Sequence, residues 1–66
     1  MTITLNGDRV NLPAAMTVSE LLTHLNIDSR RVAVELNLVV LKRATFSTTM
    51  VQHGDEVEIV NFVGGG

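Results

Sequence analysis

Gly64, Gly65 and Gly66 close the chain directly behind Phe62 and Val63. Glycine enters spaces that exclude a Cβ, so three in a row ending on a free α-carboxylate make a thin stalk with one chemical group at its tip. The pattern points to a C-terminus that works by being threaded into another protein's active site. The bland alternative is a frayed end, because termini are often poorly ordered. Fully extended, Phe62 to Gly66 reach roughly 15 Å beyond the last paired strand residue, at 3.3–3.6 Å per residue.

Few other residues offer chemistry. If Val57 and Ile59 face the core of a final strand, then Glu58, Val60 and Phe62 face the other way. An exposed aromatic beside the tail is a candidate anchor for a partner, with Val60 and Glu58 at its side. The competing reading bends the strand at Asn61 and tucks Phe62 into the core. Asp55, Glu56 and Glu58 form an acidic cluster read as lying near the tail, suited to a basic enzyme surface or to a plain solvated edge that resists aggregation. His24 lies off the apolar stripe of a helix and His53 lies in a turn, so both read as solvated, and no metal site is expected. Asp8, Asp28 and Glu35 have no spacing that resembles a paired-carboxylate centre.

At 66 residues there is room for one domain. Chains of this size bury only about 60% of the surface that their unfolded form exposes, so efficient packing must hold the fold. With no cysteine, disulfides, zinc knuckles and thiol nucleophiles are excluded. A small domain without such staples suits the reducing cytoplasm, the expected compartment. No apolar run approaches the ~20 residues of a membrane span, and the start lacks a signal peptide's basic and apolar regions. The net charge of −2, with Arg30-Arg31 and Lys42-Arg43 as isolated basic pairs, argues against nucleic acid. A single thin layer of this size rarely builds a catalytic concavity, which argues against an enzyme.

The elements that present the tail are legible in order. Ile3 and Leu5 alternate with Thr2 and Thr4, and Val10 and Leu12 with Arg9 and Asn11, around the hairpin signal Asn6-Gly7. Pro13 ends the ladder. Thr17-Val18-Ser19-Glu20 reads as a capping box, with Met16 and Leu21 at staple spacing. Val18, Leu21, Leu22 and Leu25 form one apolar helical stripe, and Asn26 suits a left-handed helix end. Val32, Val34 and Leu36 mark a third strand, Val39 to Leu41 a short fourth one after a turn at Asn37-Leu38. Residues 42 to 50 read as a loop or single helical turn with Phe46 plugging the core. Val57 and Ile59, alternating with Glu56 and Glu58, mark the last strand behind the turn Gln52-His53-Gly54-Asp55. One helix on one face of a small mixed sheet, in the order β-β-α-β-β-β, is the economical α+β architecture.

Several of these segments together resemble a known family. They are the Asn6-Gly7 hairpin, Thr17-Val18-Ser19-Glu20-Leu21-Leu22 opening the helix, Val32-Ala33-Val34-Glu35-Leu36-Asn37, Gly54-Asp55-Glu56-Val57-Glu58-Ile59-Val60, and Phe62-Val63-Gly64-Gly65-Gly66. The pattern is similar to the ThiS family of sulfur carriers for thiamine biosynthesis, within the ubiquitin-like β-grasp folds, over essentially the whole chain. The Gly-Asp turn leading through a strand to a terminal di-glycine is its specific part. The family often has Asn-Gly where this chain has Asn37-Leu38.

The resemblance implies a β-grasp domain over residues 1–63 and a flexible tail over 64–66. It implies a carrier, not an enzyme: an adenylating enzyme uses ATP to activate the terminal carboxylate, here that of Gly66. Sulfur from a cysteine desulfurase persulfide then leaves a thiocarboxylate, which thiazole synthase consumes. Gly65 and Gly64 would give access, and no cofactor would be bound permanently. The chemistry is coherent, since a carboxylate needs conversion to a mixed anhydride before sulfur attacks, and a chain without cysteine has no thiol to trap it. Carriers for molybdopterin or tRNA thiolation, a ubiquitin-like modifier, and an interaction module with idle glycines share the pattern.

Overall fold

The computed structural model describes residues 1–62. Strands β1 (Thr2–Leu5) and β2 (Asp8–Asn11) form an antiparallel hairpin in which Leu5 pairs with Asp8. Asn6 and Gly7 have φ values of 48° and 86°, the left-handed pair that a type I′ turn needs. A two-residue strand, β3 (Met16–Thr17), leads directly into helix α1 (Val18–His24).

The helix is short, and both of its ends are closed by local chemistry. The Thr17 hydroxyl accepts from the Glu20 amide at 3.1 Å, and the Glu20 carboxylate accepts from the Thr17 amide at 2.8 Å. The amides of Val18 and Ser19 donate to the carbonyls of Thr49 and Phe46, both at 2.9 Å. At the other end Asn26 takes φ 58°, and Asn26 and Ile27 donate back to Thr23 and Leu22 at 3.0 and 2.8 Å, a Schellman closure. A seven-residue helix does not persist alone in water. Its buried Val18, Leu21 and Leu22 therefore hold it on the sheet, at roughly 1.5–3 kcal/mol per large side chain.

A 3-10 turn (Ser29–Arg31) precedes β4 (Val32–Leu36), which turns through Asn37 and Leu38 into β5 (Val39–Val40). A second 3-10 turn (Arg43–Thr45) delivers Phe46 into the core at 3% exposure, as the sequence led us to expect. Then come β6 (Met50–Val51) and β7 (Glu56–Asn61). The main sheet has the order β2-β1-β7-β4-β5, with β1 and β7 parallel and the other neighbours antiparallel. Strands β3 and β6 form a separate pair, Met16 opposite Val51 and Thr17 opposite Met50. The sequence reading missed this pair, because two-residue strands are too short to show a period. The architecture is the expected mixed sheet with one main helix.

Candidate functional site: the end of the last strand

Strand β7 lies in the middle of the sheet, so the segment leading to the glycines is held from both sides at its start. On one side β4 pairs along its whole length, from Leu36 opposite Val57 to Val32 opposite Asn61. On the other side β1 pairs only Thr4 with Glu56 and Leu5 with Val57, and then turns away. The Asn6 side chain takes over there. Its Oδ1 accepts from the Ile59 amide at 2.8 Å, and its Nδ2 donates to the Ile59 carbonyl at 3.3 Å, so a side-chain amide continues the ladder that the backbone has left.

Asn37 does the corresponding work at the start of β7. Its Oδ1 accepts from the Glu56 amide at 2.9 Å, its Nδ2 donates to Asp55 Oδ1 at 3.1 Å, and its own amide donates to the Glu56 carbonyl at 2.7 Å. Asp55 also closes the preceding turn by accepting from the Gln52 amide at 2.8 Å. The Gly-Asp turn therefore has a mechanical role: Gly54 takes φ 88°, and Asp55 ties three segments together.

Along β7 and the residue that follows it, Val57 is fully buried and Ile59 partly so, whereas Glu58, Val60 and Phe62 are exposed, as parity suggested. Phe62 is 53% exposed and Val60 54%, so the strand does not bend to bury the aromatic. The Phe62 amide donates to the Arg31 carbonyl at 2.9 Å, which extends the β4–β7 ladder beyond Asn61. Val60 stands opposite Ala33, and Glu58 opposite Glu35. Like charges directly opposite on one face cost stability. Gly64, Gly65 and Gly66 lie outside the described residues, as does the boundary at residue 63.

The acidic residues read from the sequence run from the turn before β7 into its first half, with Glu56 and Glu58 exposed on one face. Asp55 and Glu56 stand where β7 begins, five strand steps or roughly 17 Å from Asn61, at about 3.3 Å per residue. They therefore lie at the opposite end of β7 from Asn61 and Phe62. Arg31 occupies the Phe62 end instead, a neighbour that no short sequence window shows, because β4 and β7 are far apart along the chain. His24 is exposed on the helix, and His53 Nδ1 accepts from the Thr2 amide at 3.0 Å. Among the described residues no group of three His, Cys, Asp or Glu is arranged to hold a metal.

The ThiS family profile matches residues 3–66. The chain belongs to the ThiS family. A crystal structure of a thiamine biosynthesis protein (ThiS) from Geobacter metallireducens superposes with a TM-score of 0.89 at 40% identity, covering all of both chains. The protein ycf40 of Porphyra purpurea is 35% identical over 66 residues, and the match covers 93% of its length. A thiazole synthase of Paramagnetospirillum magneticum is 46% identical over the same span, but this chain covers only 20% of that protein. The same holds for a thiazole synthase of Magnetococcus marinus, at 41% identity and 20% of its length. The ThiS family match makes the chain a β-grasp protein throughout its described length. Among the described residues no helix is long and apolar enough to cross a membrane.

Proposed function

We propose that this chain is a sulfur carrier for thiazole formation in thiamine biosynthesis, and that its reactive group is the carboxylate of Gly66. The observation that carries the reading is a family match running through residue 66, to the glycine whose carboxylate would react. In support, β7 is clamped by Asn6 and Asn37 and holds an exposed Phe62 immediately ahead of the terminal segment. That arrangement suits a protein that presents its end to others. Relatives named thiazole synthase carry a segment like this chain within their own polypeptide, which favours thiazole over molybdopterin or tRNA as the sulfur's destination.

In this reading an adenylating enzyme joins the Gly66 carboxylate to AMP and releases pyrophosphate from ATP. The outer sulfur of a desulfurase persulfide displaces AMP, and a thiol reduces the resulting acyl disulfide to leave the thiocarboxylate. Thiazole synthase then takes the sulfur. The chain itself supplies no catalytic group and retains no cofactor. Gly65 and Gly64 form the stalk, and Phe62, Val60 and Glu58 form the surface that partners grip. The compartment that this reading assigns to the cycle is the cytoplasm, where a domain without cysteine needs no oxidising surroundings.

Intact-mass spectrometry tests this after incubation with ATP, cysteine, a desulfurase and the adenylating enzyme. The expected product has one oxygen exchanged for sulfur, with fragmentation locating the change at Gly66. An unchanged mass in the presence of a competent enzyme set would refute the proposal. Deleting Gly66 retracts the carboxylate by about 3.5 Å. All sulfur loading should then disappear while the circular dichroism spectrum is unaltered.

A further inference from the structure

Four of the five lysines and arginines of this acidic chain gather at one pole of the molecule. The sequence separates them into Arg30-Arg31 and Lys42-Arg43, and the fold brings the pairs together. The Arg43 guanidinium crosses to the turn before β4, donating from Nε to the Ser29 carbonyl at 3.1 Å and from Nη2 to those of Arg30 and Val32 at 3.4 Å. The bond from the Phe62 amide to the Arg31 carbonyl puts the end of β7 at this same pole. All four side chains are exposed, and only Arg30 has an acidic partner among the described residues, Asp28 at 2.9 Å. The fifth cation, Arg9, lies on the edge strand β2. Asp55 and Glu56 mark the opposite end of β7, and Glu35 and Glu58 stand between.

Arg43 braces the turn before β4 and Arg30 is paired with Asp28, but among the described residues no hydrogen bond or ion pair engages the side chains of Arg31 and Lys42, which face solvent beside the end of β7. At physiological salt an exposed charge acts over about 8 Å, so these cations act chiefly on whatever approaches the tail. We propose that Arg30, Arg31, Lys42 and Arg43 form a basic collar that seats this pole on an acidic rim around the mouth of the adenylating enzyme's active site. The inference rests on the carrier reading above and adds the chemistry of the partner's surface. Phe62 supplies the apolar centre of the contact, and the collar supplies its charged rim. Charge complementarity of this kind acts mainly on encounter, raising association rates about 10-fold or more in a salt-dependent way.

The test measures carrier-dependent pyrophosphate release by the adenylating enzyme over a series of salt concentrations. Arg31→Glu and Arg9→Glu make the same change in net charge at different places. The expected result for Arg31→Glu is a KM raised about tenfold at low salt, with kcat unchanged and the difference shrinking as salt rises. Arg9→Glu should stay close to the wild type. Lys42→Glu provides a second reversal should melting curves show that Arg31→Glu is unfolded. Equal effects from Arg9 and Arg31, no effect at either pole, or a lower kcat at constant KM would each overturn the collar. A wild-type chain that elicits no pyrophosphate release would overturn the carrier reading itself, and the collar with it; normal release with unaffected variants would overturn the collar alone.

Discussion

Phe46 and Phe62 are the only phenylalanines in a chain without tyrosine or tryptophan, and the fold uses them in opposite ways. Phe46 is 3% exposed and plugs the space beneath the loop that caps α1, whereas Phe62 is 53% exposed at the end of β7. Truncating a buried phenylalanine to alanine costs about 3–5 kcal/mol. Domains hold only roughly 0.05–0.15 kcal/mol per residue, so Phe46→Ala should leave a melting curve with little or no folded baseline. Phe62→Ala should melt within a few degrees of the wild type while the KM for adenylation rises. Acid titration probes two other residues. The Thr17 amide and hydroxyl hold the Glu20 carboxyl below its usual range, and the Arg30 guanidinium and amide hold that of Asp28 at about 2. Both groups resist protonation more when folded, so their contribution is intact above the ordinary carboxylate range. For Asp28 it is lost as pH falls from about 3.8 towards about 2. Asp28→Asn should flatten the pH dependence of the melting temperature in that window.

At the scale of elements, the β4–β5 turn is the most instructive. Asn37 and Leu38 take φ values of 50° and 69°, so the turn has the left-handed geometry of Asn-Gly although a leucine fills its second position. A non-glycine residue there costs roughly 1–2 kcal/mol, partly offset by glycine's greater freedom when unfolded. Leu38→Gly should therefore raise the melting temperature by several degrees, since about 1 kcal/mol shifts a domain of this size by 4–8 °C. Asn6→Gly keeps a residue that tolerates positive φ but removes both side-chain bonds to Ile59. Hydrogen exchange at the Ile59 amide should accelerate at least tenfold, with core amides of β4 unaffected. Local signals made the hairpin, the capping box and the alternating strands legible, since each is written within a few consecutive residues. The β3–β6 pair and the two asparagine clamps were not legible. Asn6 and Ile59 are 53 positions apart, and nothing near Asn6 announces what its amide will hold. Of the candidate site, the exposed parity of Val60 and Phe62 could be read from period, and the glycine tail lies outside the described residues. The charge at the site's rim could not be read, because it depends on register.

The whole molecule has a direction. Because β1 and β7 run parallel as neighbours, the chain enters the sheet at one pole and Phe62 leaves it at the other. The N-terminal ammonium is occupied at the entry pole, where it donates to the Leu12 carbonyl at 2.8 Å. An amide N–H can make the same bond, so residues added ahead of Met1 need not disturb β1. A handle at that end would therefore fix the molecule on a sensor surface with its C-terminal pole facing solution, in one orientation. A circular permutant would fare differently: its new linker would have to run the length of the sheet and would bury the terminal carboxylate in an ordinary peptide bond.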